Sequence, residues 1–365
     1  ENRENNFLAS VHCDHSVVGV AFLDISTGEF FVAQGTVDYV EKLLNSFRPK
    51  EILYDRMQEQ WFKETFYKDG LCVNKLDDWI FTIESARDKL IAQFETTSLK
   101  GFGVEEMTQA VIAAGSILYY LDITEHKMTS HIRNLARLDQ EDYVWLDKFT
   151  IRNLELFGSG NVGAKTLLSV LDNTRTSMGA RLLRRWIALP LRKVPEIRAR
   201  LDVVQSLVEQ PDMIEDLACL LNSMCDLERI IARVATNRIL PRELLQLQKT
   251  LEGIVPLKSL CLQSGNETLV AFANQLNSCD ALREKIEREI QPDASNAVNK
   301  GNIIRSGVNA ELDELRELSN HSKEYLLKMQ EREEKRTGIP KIKVAFNNVF
   351  GYYIEVRNTH KEKVP

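Results

Sequence analysis

The chain opens on short apolar runs broken by turn residues and only later settles into helical periodicity. Phe7–Val11, Val17–Leu23 and Glu29–Ala33 read as strands, with turns at Cys13–Ser16 and Ser26–Gly28. An amphipathic helix over Val37–Phe47, a short strand at Glu51–Tyr54 and a strongly apolar helix over Val104–Asp122 follow. Residues 126–142 read as a linker. From Tyr143 to about Ser322 the pattern is helical, with segments at 201–209, 213–221, 227–234, 242–251 and 269–290. Pro211, Pro241 and Pro292 mark boundaries, since proline ends or starts a helix more readily than it continues one.

Asn309–Arg336 reads as one long helix. Leu312, Leu315, Leu318, Tyr325 and Met329 mark its apolar side, and Glu324–Lys328 and Glu331–Lys335 have the orientation of favourable i,i+4 pairs. Thr337–Pro340 ends it. Alternation then returns in Lys341–Phe346, where Ile342, Val344 and Phe346 oppose Lys341, Lys343 and Ala345. Asn347–Gly351 connects to a second strand, Tyr352–Arg357, whose Tyr353, Glu355 and Arg357 share a face. The βββαβ order within residues 1–125 suits a ribonuclease-H-like layer. The fold class expected is therefore multidomain: an α/β part, a mainly α part and a terminal β-hairpin.

Charge changes this picture locally. The 365 residues carry a net charge of −6. Lys335–Pro365 holds Lys or Arg at 335, 336, 341, 343, 357, 361 and 363 against Glu355 and Glu362, a surplus of +5 that leaves −11 elsewhere. A second basic block, Arg175–Arg200, contains a single acid, Glu196. An acidic chain with a basic end is a candidate for local phosphate contact. No run of about 18 apolar residues is present, so no membrane partner is expected. The six cysteines are scattered without a Cys-x-x-Cys pair, which fits reduced thiols and a cytoplasmic protein rather than a zinc site. A polar start without Met suggests a piece of a longer protein.

Two motifs imitate chemistry. Gly158-Ser-Gly-Asn-Val-Gly163 followed by Ala164-Lys165-Thr166 resembles a phosphate loop. However, Ala164 separates glycine from lysine, and no acid lies between Asp172 and Glu196 where a dinucleotide site wants one. A plain loop is expected. His12 and His15 flank Cys13 and Asp14, but across a turn some of these side chains point apart, so no metal or catalytic cluster is expected. Asp14 and Asp24 read as turn residues rather than nuclease ligands.

The basic block carries the most specific string, Leu171–Leu191, in which Leu182, Leu183, Trp186, Ile187 and Leu189 alternate with Arg181, Arg184 and Arg185 at helical spacing. Its arginines are expected to pair with acids of neighbouring helices. With Thr150–Leu156 upstream and Phe350–Val356 downstream, in that order, the chain resembles the MutS family of DNA mismatch-repair proteins from about Asn6 to its last residue. The resemblance implies a connector of ribonuclease-H-like fold over residues 1–125, a helical core and lever over 143–322, and the first part of a DNA clamp over 323–365. The family's mismatch-reading domain would precede Glu1 and its ATPase domain would follow Pro365. No enzymatic activity or cofactor is therefore expected here, with ATP and Mg belonging to the full-length family protein.

The implied partners are duplex DNA, a MutL-type protein docking on residues 1–125, and a second MutS subunit. For backbone contact the terminal hairpin offers Lys341, Lys343 and Arg357 on a polar face, Asn347 and Asn348 at the turn, and Asn358, His360 and Lys361 beyond. Two other readings stay open: a helical scaffold that does not bind DNA, and an α/β nucleotide-binding enzyme using Gly158–Gly163.

Overall fold

The computed structural model describes residues 2–67, 70–124, 126, 128–158, 165–347, 349 and 351–364, with backbone alone at 300, 318, 320–323, 361 and 363. It divides into two units, Glu1–Glu287 and Arg288–Pro365.

The first unit begins with a six-stranded sheet built from β1 (Leu8–Asp14), β2 (Val17–Asp24), β3 (Glu29–Gly35), β4 (Glu51–Asp55), β5 (Cys72–Leu76) and β6 (Ala136–Arg137). Their spatial order is β5-β4-β1-β2-β3-β6. β1, β2 and β3 form an antiparallel meander, while β4, β5 and β6 join in parallel. The strands read as nearly continuous apolar runs because both faces are covered. Val18, Val20, Phe22 and Ile52 pack on one side with Tyr39, Val40 and Leu43 of helix Val37–Phe47. Ala21, Leu23, Val32 and Leu53 pack on the other with helix Thr108–Ile123.

That second helix is apolar all round because it is covered almost all round, by the sheet and by helix Ile83–Phe94. Its approach is close enough to dictate residue type. A Cβ on Gly19 would lie 2.0 Å from the Gln109 carbonyl carbon, and one on Gly115 would lie 2.4 Å from Ala86 Cα. The buried hydroxyls Ser10 Oγ and Ser116 Oγ satisfy each other at 2.7 Å across the same interface.

The mixed α/β start and the helical continuation agree with the sequence reading. Some boundaries differ for physical reasons. Part of the stretch read as a linker, 126–142, is drawn into the sheet: Ile132, Leu135 and Leu138 are buried and β6 adds to the edge of β3. The segment 269–290 is two helices, Glu267–Gln275 and Asp280–Glu289. Between them Asn277 accepts the Cys279 N–H, and Cys279 takes a left-handed φ of 49°. Pro211 and Pro241 stand at helix starts, where the missing N–H costs nothing, but helix Pro241–Gln263 runs straight through Pro256.

In the second unit, Asn309 caps helix Ala310–Thr337 by accepting the Leu312 N–H at 2.9 Å, and Gly338 closes it at a φ of 64°. Among the described residues Glu333 draws Arg332 and Arg336, whereas the expected Glu324–Lys328 and Glu331–Lys335 pairs are not formed. Leu315 and Tyr325, read as part of an apolar side, are exposed. β7 (Lys343–Asn347) and β8 (Gly351–Glu355) complete this unit as an antiparallel hairpin.

Candidate nucleic-acid interface

The hairpin register decides which side chains share a face. Lys343 lies opposite Glu355, Ala345 opposite Tyr353 and Asn347 opposite Gly351, while Val344–Ile354 and Phe346–Tyr352 form the other face. Lys343 is 71% exposed, and its Nζ sits 3.9 Å from Glu355 Oε2, a loose pair in solvent. Lys341 is not in the strand. It occupies the turn before it with a φ of 61°, so it does not line up with Lys343 as the alternation suggested.

Arg357 likewise falls beyond the ladder, which ends at Glu355. Asn347 Oδ1 accepts the Val349 N–H at 3.0 Å and so shapes the turn. Asn358 and His360 lie in the short 3-10 helix Asn358–Lys363, where the His360 N–H donates to the Arg357 carbonyl. Asn348 and the Lys361 side chain lie outside the described residues. The described candidates therefore form a basic string along turn, strand and terminal helix rather than one flat polar face. The second face exposes Phe346, Tyr352 and Ile354, with the two rings 5.0 Å apart. Strand alternation could have signalled this apolar face, because Phe346 and Tyr352 occupy the same parity across the turn.

The second basic block meets a different environment. Thr176 caps helix Ser177–Ala188 through the Gly179 N–H, and the helix sends three arginines into the junction between sheet and helices. Arg181 is only 2% exposed. It makes a bidentate contact with Asp226, both bonds at 2.7 Å, reaches Glu228 at 2.5 Å, and donates to the Asn2 carbonyl at 2.8 Å. Burial alone would push this guanidinium down, but the two carboxylates hold it above its usual range. Burial pushes the Glu228 carboxyl up, outweighing its contact with Arg181.

Arg184 donates to Glu4 at 2.8 Å, and Arg185 pairs with Glu29 on β3 while lying over the Phe31 ring. Arg200, from the next helix, stacks 3.6 Å over Trp186. The arginines do pair with acids as expected, although the acids come from β3 and the N-terminal arm as well as from a helix. Asn2, Arg3, Glu4 and Asn5 thread through this junction. Arg3 reaches Asp172 at 2.6 Å, and Asn5 Nδ2 donates to both Asp24 and Glu29. Asp24 closes the turn after β2 by accepting the Ser26 N–H, and its other oxygen takes the Asn6 N–H. The arm's part in this network gave no periodic signal in the sequence.

Residues 159–164 of the glycine stretch lie outside the described residues. A short helix, Lys148–Asn153, and a turn precede that stretch, where a nucleotide loop would need a strand. His12 is largely buried, hydrogen-bonded to Gln109 at 2.6 Å and stacked on Phe81, and burial holds its pKa below the usual value. His15 is exposed in the turn itself. Among the described residues no cluster of His, Cys, Asp and Glu could hold a metal ion, and no helix is long and apolar enough to cross a membrane.

Comparison with known proteins adds three family matches: MutS domain II over residues 6–133, MutS domain III over 149–335 and MutS family domain IV over 307–365. Relatives described as DNA mismatch repair protein MutS are 51% identical in Parabacteroides distasonis over 364 residues and 52% identical in Bacteroides fragilis over 363. The one from Flavobacterium johnsoniae is 47% identical over 365. Each alignment covers 100% of this chain but 42% of the relative, so the chain spans well under half the length of the proteins it matches.

Proposed function

The chain belongs to the MutS family, and on that premise we propose that its terminal hairpin region grips the phosphate backbone of duplex DNA without reading sequence. The observation that carries this reading is the exposed basic string: among the described residues Lys343 faces solvent with only a loose carboxylate neighbour, inside a segment with a surplus of +5. Cations in that state can exchange counterions for phosphates, and asparagines beside them can donate to phosphate oxygens.

The same reading divides the chain into a connector at 1–125, a linking stretch at 126–142, a helical core and lever at 143–322, and the first part of a clamp at 323–365. The sheet order, an antiparallel meander followed by parallel β4 and β5, supports a ribonuclease-H-like connector. The arginine junction supports a mechanical role. Arg185 pairs with Glu29 of the sheet, and Arg181 one turn earlier on the same helix is buried against Asp226 of another helical element, so displacement of the sheet strains the helices rather than being absorbed by a loose linker. ATP hydrolysis is assigned to the whole family protein and not to residues 1–365, which contain no Gly-Lys-Ser/Thr loop. Docking of a MutL-type protein on residues 1–125, pairing with a second MutS subunit and a cytoplasmic setting complete the proposal.

The test is fluorescence anisotropy of labelled matched and mismatched duplexes titrated with this chain across a salt series. Binding that ignores the mismatch and falls steeply with salt is the expected result. An absence of binding even at low salt would overturn the backbone-grip reading and leave a helical scaffold.

A further inference from the structure

Another basic surface lies within the first unit, where the turn after helix Val37–Phe47 faces helix Ser177–Ala188. A cleft of about 440 Å³ opens there, walled by Arg48, Lys50, Phe157, Arg184, Arg185 and Glu4. A neighbouring cleft of about 360 Å³ shares Arg48, Pro49 and Phe157 and adds Lys148 and Arg152. Both volumes suit a small ligand rather than a flat macromolecular contact.

The cations here are unevenly satisfied. Arg185 has Glu29 and Arg184 has Glu4, but among the described residues no carboxylate lies within ion-pair distance of Arg48 or Lys50. Arg48 and Arg184 repel each other, which adds to burial in disfavouring the charged form of Arg184. Ser46, on the same wall, has a buried hydroxyl without a hydrogen-bond partner. Arg48 is also held in a left-handed conformation, φ 49°, at a helix end where glycine is the usual residue. Like charges gathered around a concave site, with a half-exposed carboxylate, Glu4, as the counterion of Arg184, describe a place for a stronger anion.

We propose that this cleft binds a small anion of the diphosphate class through Arg48, Lys50 and Arg184, in exchange for the Glu4 carboxylate. Glu4 is 52% exposed and meets Arg184 at 2.8 Å, so it can leave to solvent while the incoming anion takes the guanidinium. Because Glu4 belongs to the arm that also reaches Arg229 and, through Arg3, Asp172, occupancy would loosen one of the arm's ties to the junction. The site does not depend on the hairpin or on the duplex-grip reading.

Free diphosphate and the diphosphate of a nucleotide share this chemistry, and calorimetric titration of the whole chain with inorganic pyrophosphate and with ADP separates them. Equal affinities identify the bare anion, whereas tighter ADP identifies a nucleotide whose base meets Phe157. Either result supports the site if Arg48→Ala and Lys50→Ala each weaken binding by about 10-fold or more, the scale of one charge-assisted hydrogen bond. Glu4→Gln is expected to tighten binding and Lys343→Glu to leave it unchanged. Circular dichroism checks that each variant is folded. The proposal is overturned by no saturable binding of either probe, or by binding that survives the double variant Arg48→Ala/Lys50→Ala in a folded protein. An unchanged affinity in Glu4→Gln would remove the exchange step.

Discussion

Two basic segments of similar appearance in the sequence have opposite fates in the fold. Around Arg181 the guanidinium is buried, planar contacts are filled on several sides, and carboxylates arrive from other elements. Around Lys343 the ammonium stands in solvent with, among the described residues, a single loose carboxylate neighbour. Density of Lys and Arg therefore says little about nucleic-acid contact until the local supply of carboxylates is known. With two carboxylates and the Asn2 carbonyl engaged, the five N–H groups of Arg181 leave no donor for phosphate, whereas a solvated ammonium gives up only water and counterions.

The comparison can be broken most severely at Arg181. Arg181→Leu removes the cation shared by Asp226 and Glu228, and is expected to cost about 3 kcal/mol of stability, moderated because both acids keep some contact with solvent and Asp226 keeps Arg229 at 3.8 Å. Urea unfolding of the chain measures it. A loss under about 0.5 kcal/mol, the scale of an ordinary surface substitution, would place Arg181 with the hairpin lysines instead.

Lys343→Ala should do the reverse. Stability is expected to stay within about 0.5 kcal/mol of the parent, while the slope of log affinity for duplex against log salt becomes shallower by about 1. A large drop in stability with an unchanged slope would mean that Lys343 serves the fold. The smallest effect sharpens the junction side. Partial burial pushes the Asp172 carboxyl up, but hydrogen bonds from Thr174 and Arg3 outweigh it and hold the group below its ordinary 3.8. Its stabilising contribution is therefore complete above that ordinary value and is lost as pH falls through the depressed one. Arg3→Ala should move the Asp172 midpoint upward in a carboxyl-detected NMR titration, lower stability slightly at neutral pH and make it fall less steeply in acid. An unmoved midpoint would show that Thr174 alone holds the carboxylate.

Much of the fold is legible in the order of residues alone. β1 to β4, helix Val37–Phe47 and the long helix from Ala310 fall close to where apolar spacing and turn residues put them, because each depends mainly on neighbours within a few positions. β5 and β6 escape such a reading. Cys72–Leu76 is a short edge segment whose apolar residues, Cys72, Val73 and Leu76, do not alternate, and Ala136–Arg137 is a strand only because β3 offers it an edge. The break at 276–279 has a local signal in Asn277-Ser278, but the leucines on either side outweigh it.

The candidate contact residues are legible as types and positions but not as a surface. Alternation puts Lys341, Lys343 and Arg357 together on one face. The ladder is shorter than that pattern, so Lys341 turns away before it and Arg357 follows after it.

The sequence by itself determined the order of most elements and the kinship, because periodicity and family-specific strings are local properties of the chain. Only the tertiary structure decided which charges are spent. Arg3 meets Asp172 across 169 positions, Arg181 meets Asn2 across 179 and Arg184 meets Glu4 across 180. Ion pairs act over a few ångströms in space and leave no period along the chain, so the same arginine reads alike whether it cements a junction or waits for a phosphate.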